Sequence, residues 1–287
     1  MKSRLESWGD SLADWFLAVW PRKKPSSAQL SACRIISHRG EHDNYNVMEN
    51  TLAAFDAADR AGVWGIECDV RWTADLEPVI CHDPDLKRIL GRPSRLNEMT
   101  FLQLRDRFPQ VPSLSDVVNR YGGRRHLMIE LKEEIYSKPE YQGRKLSQIL
   151  ASITPQKDYH LLSFDPGIFD RLWIEPADVF IPIARFNARE LSRQSIKKGY
   201  AGLSGHCLLV RRQHLDRHRH RGQKTGTGFI NSTNCLFREV NRRVDWLFSD
   251  CAAKMQRAVD HLKSLKAGPD RRGLYLRRQN KGARTRG

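Results

Sequence analysis

The alternation of short strand-like runs with helical stretches is what most limits the fold of this chain. Runs rich in β-branched and aliphatic residues occur at 33–38, 65–72, 78–82, 126–132, 159–164 and 180–184. A weaker run follows at 202–210, then two more at 226–231 and 246–250. Helix-like stretches intervene at 50–61, 100–107, 113–122, 143–153, 166–174, 187–198 and 235–243. Alternation of this kind predicts a parallel α/β sheet, because parallel neighbours need a crossover and a helix is its usual form. The number of runs suits a closed (β/α)8 barrel of the TIM type, although an open sheet satisfies the same pattern. A final helix runs from about 250 to about 266, where Gly268-Pro269 stops it. No internal repeat is visible.

A length of 287 residues is ordinary for one such barrel and buries a large core without disulfide staples. The six cysteines (Cys33, Cys68, Cys81, Cys207, Cys235, Cys251) show neither CxxC nor Cys/His zinc spacing. Read as reduced thiols, they favour the cytosol. No stretch reaches roughly 18 uncharged apolar residues, which argues against a spanning helix. The first residues have no uncharged apolar core and no small-residue cleavage site, which argues against a signal peptide. The expected location is cytoplasmic, with peripheral membrane contact as an extension.

Three regions follow from the pattern: a helix and linker at 1–30, a barrel domain at 31–266 and a basic tail at 267–287. In the first, Leu5, Trp8, Leu12, Trp15, Phe16, Val19 and Trp20 share one helix face. That face either docks over the N-terminal mouth of the barrel or lies in a membrane interface. We favour docking, because Glu6, Asp10 and Asp14 weaken attraction to anionic lipid. Of the formal net charge of +16, the C-terminal residues 262–287 hold nine Lys/Arg against Asp270. A tail of that kind is expected to be a solvated end. Nucleic acid is a poor partner for it, because Tyr275 is its one aromatic.

The chemistry lies at strand ends. Residues two apart in a strand share a face, so Glu67 and Asp69 point one way and Cys68 the other. Glu130 and Lys132 repeat the arrangement. Carboxylates inside strands of Ile, Leu, Val and Met are costly unless paired or metal-bound. Three facing one barrel interior repel one another, and a hard divalent cation, Mg²⁺ or Ca²⁺, resolves the conflict. Glu67, Asp69 and Glu130 are therefore the expected ligands. The rival reading is separate strand-end salt bridges with Arg71 and Lys132.

His38 ends the first run and His82 the third. Barrel active sites are built from strand C-termini, and phosphodiester cleavage needs both a base and an acid. Histidine titrates near the working pH. Arg39 would grip a phosphate with its planar fork. Three carboxylates, one dication, a diester, Arg39 and Lys132 together sum to about neutral, so an anionic substrate is not repelled. The remaining histidines make weaker cases, and most of the cluster at 214–220 reads as a solvated turn or helix face.

Ile35-Ile-Ser-His-Arg-Gly40, Glu49-Asn-Thr-Leu-Ala-Ala-Phe55, Gly65-Ile-Glu-Cys-Asp-Val70 and Pro78-Val-Ile-Cys-His-Asp83 together resemble the glycerophosphodiester phosphodiesterase family. Val111-Pro-Ser-Leu-Ser-Asp-Val-Val118, Glu130-Leu-Lys132, Leu162-Ser-Phe-Asp165, the segment 222–231 and Val244-Asp-Trp-Leu-Phe-Ser-Asp250 agree in order. The resemblance spans 33–253. It implies a TIM barrel of the phospholipase-C-like phosphodiesterase type and metal-dependent hydrolysis of a small glycerophosphodiester to sn-glycerol 3-phosphate and an alcohol. It implies His38 and His82 as the acid/base pair, and Glu67, Asp69 and Glu130 as metal ligands. Arg39 and Lys132 become phosphate contacts, and Glu49 a carboxylate that orients Arg39 or a substrate hydroxyl.

Several residues depart from the family pattern. Met48 stands for a proline. Leu76 replaces a turn glycine, so that turn must differ or accept strain. Gly228 stands where tryptophan lines the pocket and Phe229 where threonine is usual, which removes an aromatic wall. Cys251 departs in the final motif, and 84–111 is too short for the bulky insert of some members. Two other readings compete. One is a phospholipase acting on lysophospholipid or phosphoinositide-like lipids. The other is a non-catalytic barrel that binds membrane or nucleic acid.

Overall fold

The computed structural model describes residues 18–172, 174 and 176–267. Most of the expected N-terminal helix (1–17) and nearly all of the basic tail (268–287) lie outside these residues. Nine strands are present among them: β1 (Ile35–Ser37), β2 (Gly65–Trp72), β3 (Pro78–Ile80), β4 (His126–Leu131), β5 (Tyr159–Ser163), β6 (Phe180–Ala184), β7 (Gly202–His206), β8 (Lys224–Gly228) and β9 (Trp246–Ser249). All but β3 form one parallel ring. β1 closes it by pairing on one side with β2, Ile36 opposite Gly65, and on the other with β9, Ile36 opposite Phe248. The open-sheet alternative is thereby excluded.

β3 departs from the simple alternation. It pairs antiparallel with β2, Val70 opposite Ile80 and Trp72 opposite Pro78. The third run is thus a return strand outside the ring, and His82 does not end a barrel strand. β2 overshoots the mouth, turns at 73–77 and comes back, so His82 returns to the level of Asp69, whose carbonyl accepts from the amide of Cys81 (2.9 Å). Leu76 keeps the left-handed conformation (φ 60°) in that turn, so the turn accepts strain, which costs a non-glycine residue roughly 1–2 kcal/mol. The excursion carries a small core of its own, in which Val79, Leu86, Leu96, Leu104 and Phe108 are buried.

Helices cover the outside: α1 (Ser27–Ser31), α2 (Leu52–Arg60), α3 (Lys87–Leu90), α4 (Phe101–Arg107), α5 (Leu114–Tyr121), α6 (Pro139–Leu150), α7 (Gly167–Leu172), α8 (Ala188–Lys198), α9 (Arg212–Arg219), α10 (Thr233–Asn241) and α11 (Ala252–Ala267). Their starts follow local chemistry. Ser26, Thr100 and Ser113 form capping boxes with Gln29, Gln103 and Asp116, and Thr51 and Ser232 cap α2 and α10. α9 corrects the reading of 214–220 as solvated. His214 and His218 are buried there, and His218 bonds Gln223 and Ser192.

Strand alternation sorts side chains between two layers. Ile66, Cys68 and Val70 face the helices in the main core. Ile36, Met128, Leu162, Ile181, Trp246 and Phe248 fill the barrel interior. Beneath them, at the N-terminal end, His126 and His160 are buried. Nδ1 of His126 bonds the carbonyl of Lys157 (2.9 Å), and its Nε2 lies 2.7 Å from Nδ1 of His160. Burial pushes these imidazoles down to about 4 and about 2, so both are neutral near pH 7.

Candidate active site

One layer above the apolar interior, the inward positions of β2 and β4 become acidic. Asp69 pairs in register with Glu130, and Glu67 lies one inward position below Asp69. Ligand oxygens of Glu67, Asp69 and Glu130 lie within 4.8 Å of one another, and all three residues are buried. Lys132 Nζ sits between two of them, 2.5 Å from Glu130 Oε1 and 3.1 Å from Asp69 Oδ1. Arg71 does not join the cluster. It bonds Glu134 and the carbonyl of His82.

The electrostatics divide these carboxylates. Burial, reinforced by the Asp69 charge, raises Glu67 to about 8, although His38 and Arg39 pull the other way. Burial also opposes charge on Asp69, but Lys132 and Arg39 together hold it well below the ordinary value. Glu67 Oε1 has no hydrogen-bond partner and is shut off from solvent. A buried, orphaned carboxylate oxygen beside two further carboxylates is a donor set for a hard divalent ion, so the residues fit that cofactor.

The His38-Arg39-Gly40 turn folds over this cluster. Arg39 and Gly40 both take positive φ (57° and 79°). Gly40 is required, because a Cβ there would sit 2.7 Å from the backbone carbon of Ala54. The turn aims the Arg39 amide at Glu67 Oε2 (2.9 Å) and its guanidinium at Glu49 Oε1 (3.0 Å) and Asp69 Oδ2 (3.2 Å). Glu49 is buried against Arg39, Arg88 and Asn44. Burial alone would raise it, but hydrogen bonds from Arg88 and the Arg39 charge bring it down to about 2. Asn50, also at positive φ, clamps Asp69 through its side-chain amide (2.7 Å).

Both histidines are held by an aspartate. His38 Nδ1 lies 2.6 Å from Asp250 Oδ1, and its Nε2 lies 3.8 Å from Glu67. His82 Nδ1 lies 2.6 Å from Asp83 Oδ1, and Asp83 is bound in turn by Arg88 Nε (2.5 Å). Asn231 completes the first pair, donating to Asp250 Oδ2 (2.9 Å) and accepting its amide (3.0 Å). Burial and Arg39 lower His38, yet Glu67 and Asp250 leave it raised overall. Burial lowers His82, and the Asp83 bond does not recover it. The histidine side chains are 24% and 31% exposed, while Glu67 and Asp69 are closed off, so the imidazoles face the opening of the site.

Every residue expected at the site from sequence stands in this one region. The orienting groups Asp250, Asp83, Arg88 and Asn231 went unassigned, although Asp83 adjoins His82 and Asp250 ends the closing run. Arg88 carried no such signal, because it lies on the short helix α3 of the excursion. The missing wall is partly restored. Gly228 opens onto free space, its nearest neighbour for a Cβ being 4.0 Å away, but the Phe229 ring meets His38 edge-on at 6.5 Å.

Residues 38–175 match the model of the Glycerophosphoryl diester phosphodiesterase family. Human Glycerophosphodiester phosphodiesterase 1 is 27% identical over 165 residues, covering 49% of this chain and 49% of that protein. The Glycerophosphodiester phosphodiesterase of Caldanaerobacter subterraneus is 31% identical over 127 residues, 40% of this chain and 51% of that one. The chain thus spans about half the length of these curated relatives. An Oleispira antarctica phosphodiesterase, solved in complex with the product sn-glycerol-3-phosphate, superposes with a TM-score of 0.65 at 26% identity, over 79% of this chain and 96% of that one. The glycerophosphodiester phosphodiesterase of Thermotoga maritima has a TM-score of 0.67 at 21% identity, over 79% and 98% of the two chains, a likeness of fold.

Proposed function

This chain belongs to the glycerophosphodiester phosphodiesterase family, and we propose that it hydrolyses glycerophosphodiesters to sn-glycerol 3-phosphate and an alcohol. One observation carries the proposal: three buried carboxylates converge beside Arg39 and Lys132, between two histidines each braced by an aspartate. Glu67, Asp69 and Glu130 would hold Mg²⁺ or Ca²⁺. When bound, the ion supplies a positive field against charge developing on the phosphate.

The chain's own residues do the rest. Arg39 and Lys132 neutralise and orient the diester, and Glu49, with Asn44 and Arg88 behind it, holds Arg39 in place. In the first step the substrate's glycerol 2-hydroxyl attacks phosphorus and gives its proton to one histidine. The ester bond to the alcohol breaks, and the other histidine protonates the leaving oxygen. Water then opens the cyclic phosphate with the two roles exchanged. This sequence needs one neutral and one protonated imidazole, and His38 and His82 are shifted in opposite directions. Asp250 and Asp83 keep Nδ1 of each ring occupied, so Nε2 is the atom that moves protons.

Incubation of the purified protein with glycerophosphocholine and Mg²⁺ or Ca²⁺, followed by assay of glycerol 3-phosphate, tests the reading. Product that disappears with EDTA is expected. Absence of product across several head groups would refute it. A 2-deoxy analogue that turns over normally would exclude the cyclic route.

A further inference from the structure

We propose that the rim of the catalytic mouth is a membrane-docking surface, in which Ile135, Phe186 and Leu208 enter the headgroup region of a bilayer containing anionic lipid. The inference deepens the function proposed above, because it makes the substrate a diester presented at a lipid surface.

Large exposed apolar side chains are not scattered evenly over this protein. Ile135 is 92% exposed and Phe186 90% exposed, on the loops after β4 and β6. Leu208 is 42% exposed, on the loop after β7. Each of these loops leaves the C-terminal end of a barrel strand, the end onto which the two histidines open. Tyr45, after β1, and Tyr141, in the first turn of α6, are exposed on the same end. Isolated exposed apolar residues are ordinary, whereas a set around one opening marks a contact surface.

The rim is also held together. Arg185 bridges the β6 loop to Glu133 on the β4 loop (2.8 Å) and lies over the Phe164 ring of the β5 loop at 4.4 Å. Phe186 and Ile135 are therefore carried on loops that this ion pair links. Over 133–138, 185–190 and 207–212 the rim carries Lys138, Arg185, Arg189, Arg211 and Arg212 against Glu133, Glu134 and Glu190, with Arg185 paired to Glu133. Arginine beside exposed aromatic and aliphatic side chains is the composition of an interfacial surface that meets anionic headgroups. The chain enters the described fold at this same end. The Asn234 side chain, at the start of α10, donates to the carbonyl of Ala18 (2.6 Å), and Val19 beside it is 57% exposed.

Flotation of the full chain with vesicles tests the surface without any turnover, so its failure is separable from failure of the hydrolase reading. Binding to phosphatidylcholine vesicles with about one-third phosphatidylglycerol is expected to exceed binding to phosphatidylcholine alone. Ile135→Ser together with Phe186→Ser should weaken that binding at least about tenfold. The double variant should keep wild-type turnover of soluble glycerophosphocholine, since neither side chain touches the site. Lack of vesicle binding by the wild-type chain, or binding that survives the double substitution, overturns the proposal. So does a dimer in solution that the same substitutions dissociate, because a second copy then covers this face.

Discussion

His38 Nδ1 stands 2.6 Å from Asp250 Oδ1 although 212 residues separate them in sequence. Barrel closure makes the contact. Ser37 pairs with Ser249 in the β1–β9 register, and the next residue of each strand supplies one partner of the His–Asp pair. The seam that completes the fold thus also orients the His38 imidazole, one of the two proposed to move protons. Asp250→Asn keeps the shape but withdraws the charge that holds the ring. Turnover of glycerophosphocholine should fall by about 10²–10⁴-fold, with KM little changed. The pH profile should move as well, because a raised His38 depends on Asp250. A variant with wild-type kcat and profile would remove Asp250 from this role.

Metal binding should appear as stability, independent of activity. A ligand at about 100 times its Kd adds about 2.7 kcal/mol to the native state. For a chain of this size that is a rise in Tm of roughly 5–10 °C. Thermal melts with Mg²⁺ or Ca²⁺ should show the rise in the wild type and lose most of it in Glu130→Gln. Equal rises in both proteins would place the ion elsewhere.

Arg88→Ala reaches the site through Glu49. Glu49 keeps Arg39 and Asn44 but loses the bonds that most depress its carboxyl, so its pKa should climb from about 2 toward the ordinary value. A group with a depressed pKa contributes stability above its unfolded value and loses it as pH falls. The variant should therefore lose less stability on acidification than the wild type. Its KM should rise several-fold, with kcat affected less. Arg88 is itself 44% exposed, so the total stability change should stay within about 1 kcal/mol.

The buried pair His126–His160 predicts acid sensitivity. Both imidazoles have folded pKa values below the unfolded value of 6.5, at about 4 and about 2. Between roughly pH 6.5 and 4 the unfolded chain binds more protons, so stability is full above 6.5 and declines as pH falls. A shift from 6.5 to about 4 in one group is worth about 3 kcal/mol. Urea denaturation at a series of pH values should show that slope, and His160→Phe should flatten it. An unchanged slope would assign the acid sensitivity to other groups.

A Cβ at position 228 would have its nearest atom 4.0 Å away, so Gly228→Trp introduces its side chain without a clash at Cβ. An added indole narrows the site beside Phe229. The ratio of kcat/KM for glycerophosphocholine to that for glycerophosphoethanolamine should change by several-fold, since a tryptophan face favours a quaternary ammonium. An unchanged ratio would mean that position 228 does not meet the alcohol group.

Much of the site was legible because it lies in local patterns. Glu67 and Asp69 share a strand face by the period of two. The sequence places His82 at the end of a barrel strand, which is only partly so. Its run does form a strand, but one that returns antiparallel beside β2 and not as a stave of the ring. Local propensity cannot separate these cases, because strand formers pair with whichever edge is free. His214 and His218 differ from the sequence expectation for a related reason. A sequence so rich in Arg and His looks solvated, yet α9 turns those two toward Ser192 and Gln223 and buries them.

By itself the sequence determined the α/β alternation, the inward face of each acidic strand and the presence of acidic, basic and imidazole side chains at strand ends. These follow from periodicity and side-chain chemistry, which act over a few residues. Only the tertiary structure decided which aspartate braces which histidine, that Arg88 reaches from the excursion to Glu49, and that the exposed apolar side chains Ile135, Phe186 and Leu208 stand around one mouth. Those relations join segments far apart in the chain, and they exist only once the β1–β9 seam closes the ring and gives every loop after a strand the same end of the barrel.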